Sequence, residues 1–129
     1  MTDDRLCELS NEEIDALPFG YMALDNSGTV LRYNRWEAEL ARLDAKSQIG
    51  KNFFREVAPC TQVQEFEGAF RVFATSRPVP EPISFDFAFK FRHGLQQVRI
   101  GFIRSGLTAA VIVTINRQRD IASSDVRVA

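Results

Sequence analysis

The chain has 129 residues, the length of one ordinary domain, with 45% hydrophobic and 26% charged residues and a formal charge of −1. That balance excludes a disordered chain, and the absence of any basic run or stripe argues against a nucleic-acid partner. Eleven Phe against one Trp and two Tyr predict a core of flat rings, which can also wall an aromatic ligand. No stretch reaches the length of a membrane span. Met1 to Leu9 is acidic and polar with no apolar signal core, so a cytoplasmic location is expected, with Cys7 and Cys60 as thiols. One His and no Cys-x-x-Cys give no usual zinc site.

Ser10, with Glu13 at the capping-box position, predicts a helix start, and Pro18 stops that helix. Phe19 to Leu24 and Thr29 to Tyr33 read as two strands joined by the turn cluster Asp25-Asn26-Ser27-Gly28. Arg35 to Leu43 favours helix. A short helical turn is expected within Ser47 to Phe54, around Ile49, broken by Gly50 and Asn52. Pro59 disfavours helical geometry at Ala58. Gln64 to Ser76 is the longest predicted helix, with Phe66, Phe70 and Phe73 on one buried stripe. Pro78, Pro80 and Pro82 hold the chain extended.

Ile83, Phe85, Phe87, Phe89 and Phe91 then alternate with Ser84, Asp86, Ala88 and Lys90, the period of a strand. His93-Gly94 turns the chain into a strand carrying Val98, Ile100 and Phe102. Ser105-Gly106 signals a further hairpin. Leu107 to Ile115 is apolar on both faces, which suits a central strand, and Arg117 to Ala129 reads as a polar tail. A three-strand meander cannot cover its own Phe face. The expected fold is therefore α+β: an antiparallel sheet of about five strands, with short helices and one longer connecting helix packed on it.

Three positions stand out chemically. Cys60, after Pro59, is either a small buried hydrophobe or a nucleophile and attachment point near the start of the following helix. Tyr33 and Glu37 can reach one side of a turn if a helix begins near Asn34; otherwise Tyr33 ends a strand and Glu37 is solvated. His93 sits in a turn, is expected to be exposed, and would form a Cys–His pair only if the fold brought it to Cys60.

The run Ile49-Gly50-Lys51-Asn52-Phe53-Phe54-Arg55-Glu56-Val57-Ala58-Pro59-Cys60 resembles the chromophore-attachment segment of the photoactive yellow proteins, which are PAS domains. Leu31-Arg32-Tyr33-Asn34 with Glu37 is similar to that family's phenolate-binding segment, in unbroken register with the cysteine. Phe19-Gly20, Leu24-Asp25 and Phe85 to Phe91 match its strands. The resemblance implies 4-hydroxycinnamic acid (p-coumaric acid) joined to Cys60 as a thioester. It implies Glu37 and Tyr33 as hydrogen-bond partners of the phenolate, with Phe53, Phe54, Val57, Phe87 and Phe89 around the ring. It implies a blue-light photoreceptor rather than an enzyme, with light-driven isomerisation and proton transfer from Glu37 loosening the domain. The implied organisation is a cap segment over 1–18, a PAS domain over 19–117 and a tail over 118–129. The implied partner is a downstream signalling protein of unknown identity, with the chain a monomer or weak homodimer.

This chain departs from the family pattern in having Ala41 and Leu43 where Thr and Arg are common. Arg42, displaced by one position, is expected to point elsewhere. Arg35-Trp36 replaces small residues, and His93 replaces a Met. Ala41 and Leu43 favour a rival reading, a chromophore-free PAS module for sensing or dimerisation. A redox sensor built on Cys60 is the other alternative.

Overall fold

In the computed structural model, which describes residues 8–91, 93–104 and 110–117, Ser10 opens α1 (Asn11–Asp15) with both halves of a capping box. Its hydroxyl accepts from the Glu13 N–H at 3.1 Å, and the Glu13 carboxylate accepts from the Ser10 N–H at 2.8 Å. Strand β1 (Gly20–Leu24) is buried at every position. Asp25 Oδ1 accepts from the Ser27 and Thr29 N–H groups, both at 2.9 Å, and Gly28 takes φ +93°. That turn returns the chain into β2 (Val30–Tyr33) as an antiparallel hairpin.

Asn34 caps α2 (Arg35–Ala41), which ends two residues before the predicted Leu43. Arg42 takes the left-handed conformation at φ 59°, and the Leu43 N–H reaches back to Ala38 O at 2.9 Å. The helical turn expected around Ile49 lies earlier, as α3 (Ala45–Gln48), because Asp44 accepts from the Ser47 N–H at 3.1 Å and so starts it; Ile49 is already extended. Asn52, expected to break a helix, starts one instead. Its Oδ1 accepts from the Phe54 and Arg55 N–H groups at 3.0 and 3.1 Å, while Glu56 accepts from the Asn52 N–H at 2.9 Å. The result is a wide π-helical turn over Phe53–Val57. Ala58 is held out of helical geometry before Pro59, at φ −138° and ψ 74°. A tight turn over Pro59–Thr61 follows, then a second π-helical segment, Gln64–Gly68, which runs into α4 (Ala69–Thr75).

The meander is β3 (Ile83–Phe91), β4 (Gly94–Arg104) and β5 (Val111–Arg117), antiparallel throughout. Strand β5 also pairs with β1, giving one sheet in the order β2-β1-β5-β4-β3. The expected central strand is thus β5, and Arg117 belongs to it rather than to a tail. The Ser105-Gly106 turn, Cys7 and residues 118–129 lie outside the described residues.

Phe66 joins the helical layer to the sheet. Its ring lies 5.1 to 6.0 Å from those of Phe53, Phe54, Phe85, Phe87, Phe89 and Phe102. Phe70 and Phe73 extend the predicted stripe onto Phe102. Fully burying one such ring contributes about 2–3 kcal/mol. The Arg104 guanidinium ties the sheet to the end of α4 by donating to the carbonyls of Phe73, Ala74 and Ser76. On the other face, Leu9 and Ile14 cover Tyr21, Ala23, Ile103 and Ile112. Among the described residues no helix is long and apolar enough to cross a membrane.

Candidate functional site

The site forms where the hairpin, α2 and the Pro59 segment meet. Backbone bonds hold the Cys60 segment along β2: Val30 N–H to Lys51 O and Gly50 N–H to Val30 O at 2.8 Å each, then Phe53 N–H to Gly28 O at 2.8 Å. A side chain at Gly28 would strike the Phe54 ring, its Cβ 2.8 Å away. Thr61, fully buried, closes the turn by donating both its N–H and its hydroxyl to Ala58 O, at 2.9 and 2.6 Å. Cys60 is a half-buried free thiol beside that turn.

Tyr33 does end a strand, but Glu37 is not solvated: it is 2% exposed on the first turn of α2. Asn34, fully buried, places it. Its Oδ1 accepts from the Glu37 N–H at 3.0 Å and the Tyr21 N–H at 3.1 Å, and its Nδ2 donates to Ile14 O at 2.7 Å and Phe19 O at 3.1 Å. Gly20 leaves room for the carboxyl, since a Cβ there would lie 2.7 Å from Glu37 Oε1. Among the described residues, Glu37 Oε1 and the Tyr33 hydroxyl are the buried side-chain polar atoms with no hydrogen-bond partner. Burial pushes the Glu37 carboxyl from 4.5 up to about 8, so at neutral pH it is mainly a neutral acid and a donor. Burial, and then the charge of an ionised Glu37, raise the Tyr33 phenol well above its ordinary value.

Both groups line a cavity of about 780 Å³. Six of the eight sequence-derived site residues meet there: Tyr33, Glu37, Phe53, Val57, Cys60 and Phe89. Phe54 and Phe87 stand one layer back. Phe54 is buried against Phe53 and Phe70, and Phe87 is half-buried with its ring 5.4 Å from that of Phe89. Ala41 and Leu43 line the cavity, and so does Arg42, contrary to the expectation that it points elsewhere. His93 is exposed as expected but also lines the cavity, stacked flat on Phe91 at 5.0 Å and 3°. Sequence reasoning missed the capping role of Asn34, although an Asn immediately before a helix is its standard signal.

An antiparallel five-stranded sheet with short helices over one face and a cavity between them defines a PAS-type sensor domain. No family model matches the chain. It is 48% identical over 69 residues to the photoactive yellow protein of Halochromatium salexigens, a stretch covering 54% of this chain and 55% of that one. It is 38% identical over 87 residues to the photoactive yellow protein of Cereibacter sphaeroides, covering 67% of this chain and 70% of that one. The photoactive yellow protein domain from the sensor histidine kinase Ppr of Rhodospirillum centenum superposes with a TM-score of 0.82 at 34% identity, over 89% of this chain and 99% of that domain. The chain belongs to the photoactive yellow protein family, although its match spans only 55% of the length of the Halochromatium relative.

Proposed function

We propose that the domain is a blue-light receptor module carrying 4-hydroxycinnamic acid as a thioester on Cys60. The supporting observation is the pair of buried polar atoms without partners, Tyr33 Oη and Glu37 Oε1, lining the same cavity as the Cys60 thiol. A buried unsatisfied polar group costs about 1–3 kcal/mol, so two in one cavity fit a ligand oxygen that accepts from both. The cavity volume suits a small aromatic ligand, and Phe53, Val57, Phe89 and Phe91 would keep water from its ring. When bound, this group supplies visible-light absorption and an isomerisable double bond.

The neutral Glu37 carboxyl and the Tyr33 hydroxyl both donate, which favours an anionic oxygen between them. Glu37 can also give up its proton. The carboxylate left behind, without a paired charge in a buried site, destabilises the packing around it. Asn34 carries that strain outward, because it bonds the Glu37 N–H on one side and the carbonyls of Ile14 and Phe19 on the other. The readout in this reading is movement of segment 1–18 against the 19–117 body, sensed by a downstream signalling protein.

Apo-protein treated with an activated 4-hydroxycinnamic ester should gain a visible band and one acyl group on Cys60 by mass spectrometry, while Cys60→Ala stays colourless. No colour, or label on Cys7 instead, refutes the reading.

A further inference from the structure

The sheet ends differently at its two edges. Strand β2, at one edge, is four residues long, and its register against β1 shifts between Ala23 and Leu24. It is also covered. The Val30 N–H donates to Lys51 O and the Gly50 N–H to Val30 O, both at 2.8 Å, and Thr29 bridges to Asn52. Short length, a bulge and a covering segment are the usual means of closing an edge to other chains. Strand β3, at the opposite edge, has none of these among the described residues. It is nine residues long, contains no proline, and keeps an unbroken register with β4 from Ile83–Phe102 to Phe91–Gly94. No described backbone segment besides β4 pairs with it. Along such an edge every second residue directs its N–H and C=O outward.

The strand is complementary to itself. Ala88, small and half-buried, lies midway between Asp86 and Lys90, both exposed. In an antiparallel pair with its twofold axis at Ala88, Asp86 of each copy stands opposite Lys90 of the other. On the opposite face of the sheet, Phe87 meets Phe89 and Phe85 meets Phe91. Moving the axis two residues either way sets Asp86 on Asp86 or Lys90 on Lys90, which repel. Asp86 already accepts from Arg99 at 2.8 Å, but its side chain is 57% exposed, and a carboxylate has acceptor sites for a second cation.

We propose that β3 is a self-recognition edge, at which two copies of this chain join β3 to β3, antiparallel about Ala88, into one continuous sheet. Backbone bonds supply the affinity, and the two Asp86–Lys90 pairs set the register and select the partner. Lys90 would repel an edge that carried a cation in that place; a second copy presents a carboxylate there. The interface is one strand wide, so the association is reversible and concentration-dependent.

Sedimentation of the full chain, in reductant so that no disulfide links two copies, should show a monomer–dimer equilibrium that tightens as salt falls. A strict monomer at millimolar concentration overturns the proposal. Asp86→Lys leaves two cations on the edge and Lys90→Asp two carboxylates, so each variant alone should self-associate about tenfold more weakly or worse. Mixed in equal amounts, the two variants should form a heterodimer within about threefold of the wild-type affinity, because every cation again faces a carboxylate. Unchanged self-association in both variants, or no recovery on mixing, overturns the proposal. Amide hydrogen exchange of the unmutated protein gives the answer without a variant. Protection that rises with concentration at alternate β3 residues supports the edge, and protection that rises on β2 or α1 instead places the dimer elsewhere and overturns it. The association needs no acylation of Cys60, so its outcome is separate from that of the light-receptor reading.

Discussion

The Glu37 carboxyl makes the stability of the ligand-free domain depend on pH in a direction opposite to that of most acidic groups. Burial pushes it from 4.5 in the unfolded chain up to about 8 in the fold, where it is 2% exposed. Between those values the folded state holds a proton that the unfolded state has released, so stability is fully present below pH 4.5 and is lost as pH rises toward 8. The slope is about 1.4 kcal/mol per pH unit, on the order of 5 kcal/mol across the window. That is a large part of the ~5–15 kcal/mol by which a domain is stable. Hydrogen bonds from Ser47 hold Asp44 below its usual 3.8, so that group titrates outside the window. Glu37→Gln keeps the shape of the neutral acid and cannot ionise. Urea unfolding of both proteins from about pH 5 to about pH 9 should give a nearly flat line for the variant and a falling one for the wild type. A constant offset between the two is expected, because the amide adds a buried donor; the slope is the readout. Parallel lines would mean that the carboxyl is hydrated in the fold, and would refute both its burial and its role as a neutral donor.

Asn34→Ala should cost about 3 kcal/mol or more in urea unfolding, since it removes a buried cap together with its bonds from the Glu37 and Tyr21 N–H groups and to the Ile14 and Phe19 carbonyls. Hydrogen exchange of α1 amides should quicken more than that of α4, and a uniform change would show that Asn34 does not tie the N-terminal helix to Glu37. Arg42→Gly should gain about 1 kcal/mol by relieving the left-handed backbone at φ 59°, whereas Arg42→Ala, which keeps that strain, should gain nothing. Equal midpoints for the two variants would refute the strain.

The sheet was legible because its strands obey the simplest rule, alternation. Phe85 to Phe91 and Val98 to Phe102 each present one face to the helices, and the doubly apolar β5 lies in the middle as its burial demands. The α1 start was equally plain, a capping box written in four residues. The segment from Asp44 to Val57 was not legible. It is made of short turns whose bounds depend on which carboxyl or amide oxygen reaches which N–H. Asp44 and Asn52 both accept from backbone ahead of them, and nothing in composition separates an Asn that breaks a helix from one that starts it. The π-helical turns also leave no periodic trace within five residues.

At the site, spacing alone placed Tyr33 and Glu37 near each other but left the burial of Glu37 open, because burial is decided elsewhere, by Gly20 clearing space on β1 and by Asn34 fixing the helix start. Arg42 shows why a register argument fails at a helix end. Counting by roughly 100° per residue turns position 42 away from position 43. That count assumes helical backbone, and the helix stops at Ala41. At φ 59° the chain turns the other way, so Arg42 lies on the wall of the cavity, next to Leu43. The cavity therefore does not lack a cationic residue. The arginine that the family pattern commonly has at position 43 is absent, and Arg42 stands on the neighbouring wall instead. The left-handed turn is what keeps that arginine within reach of the cavity.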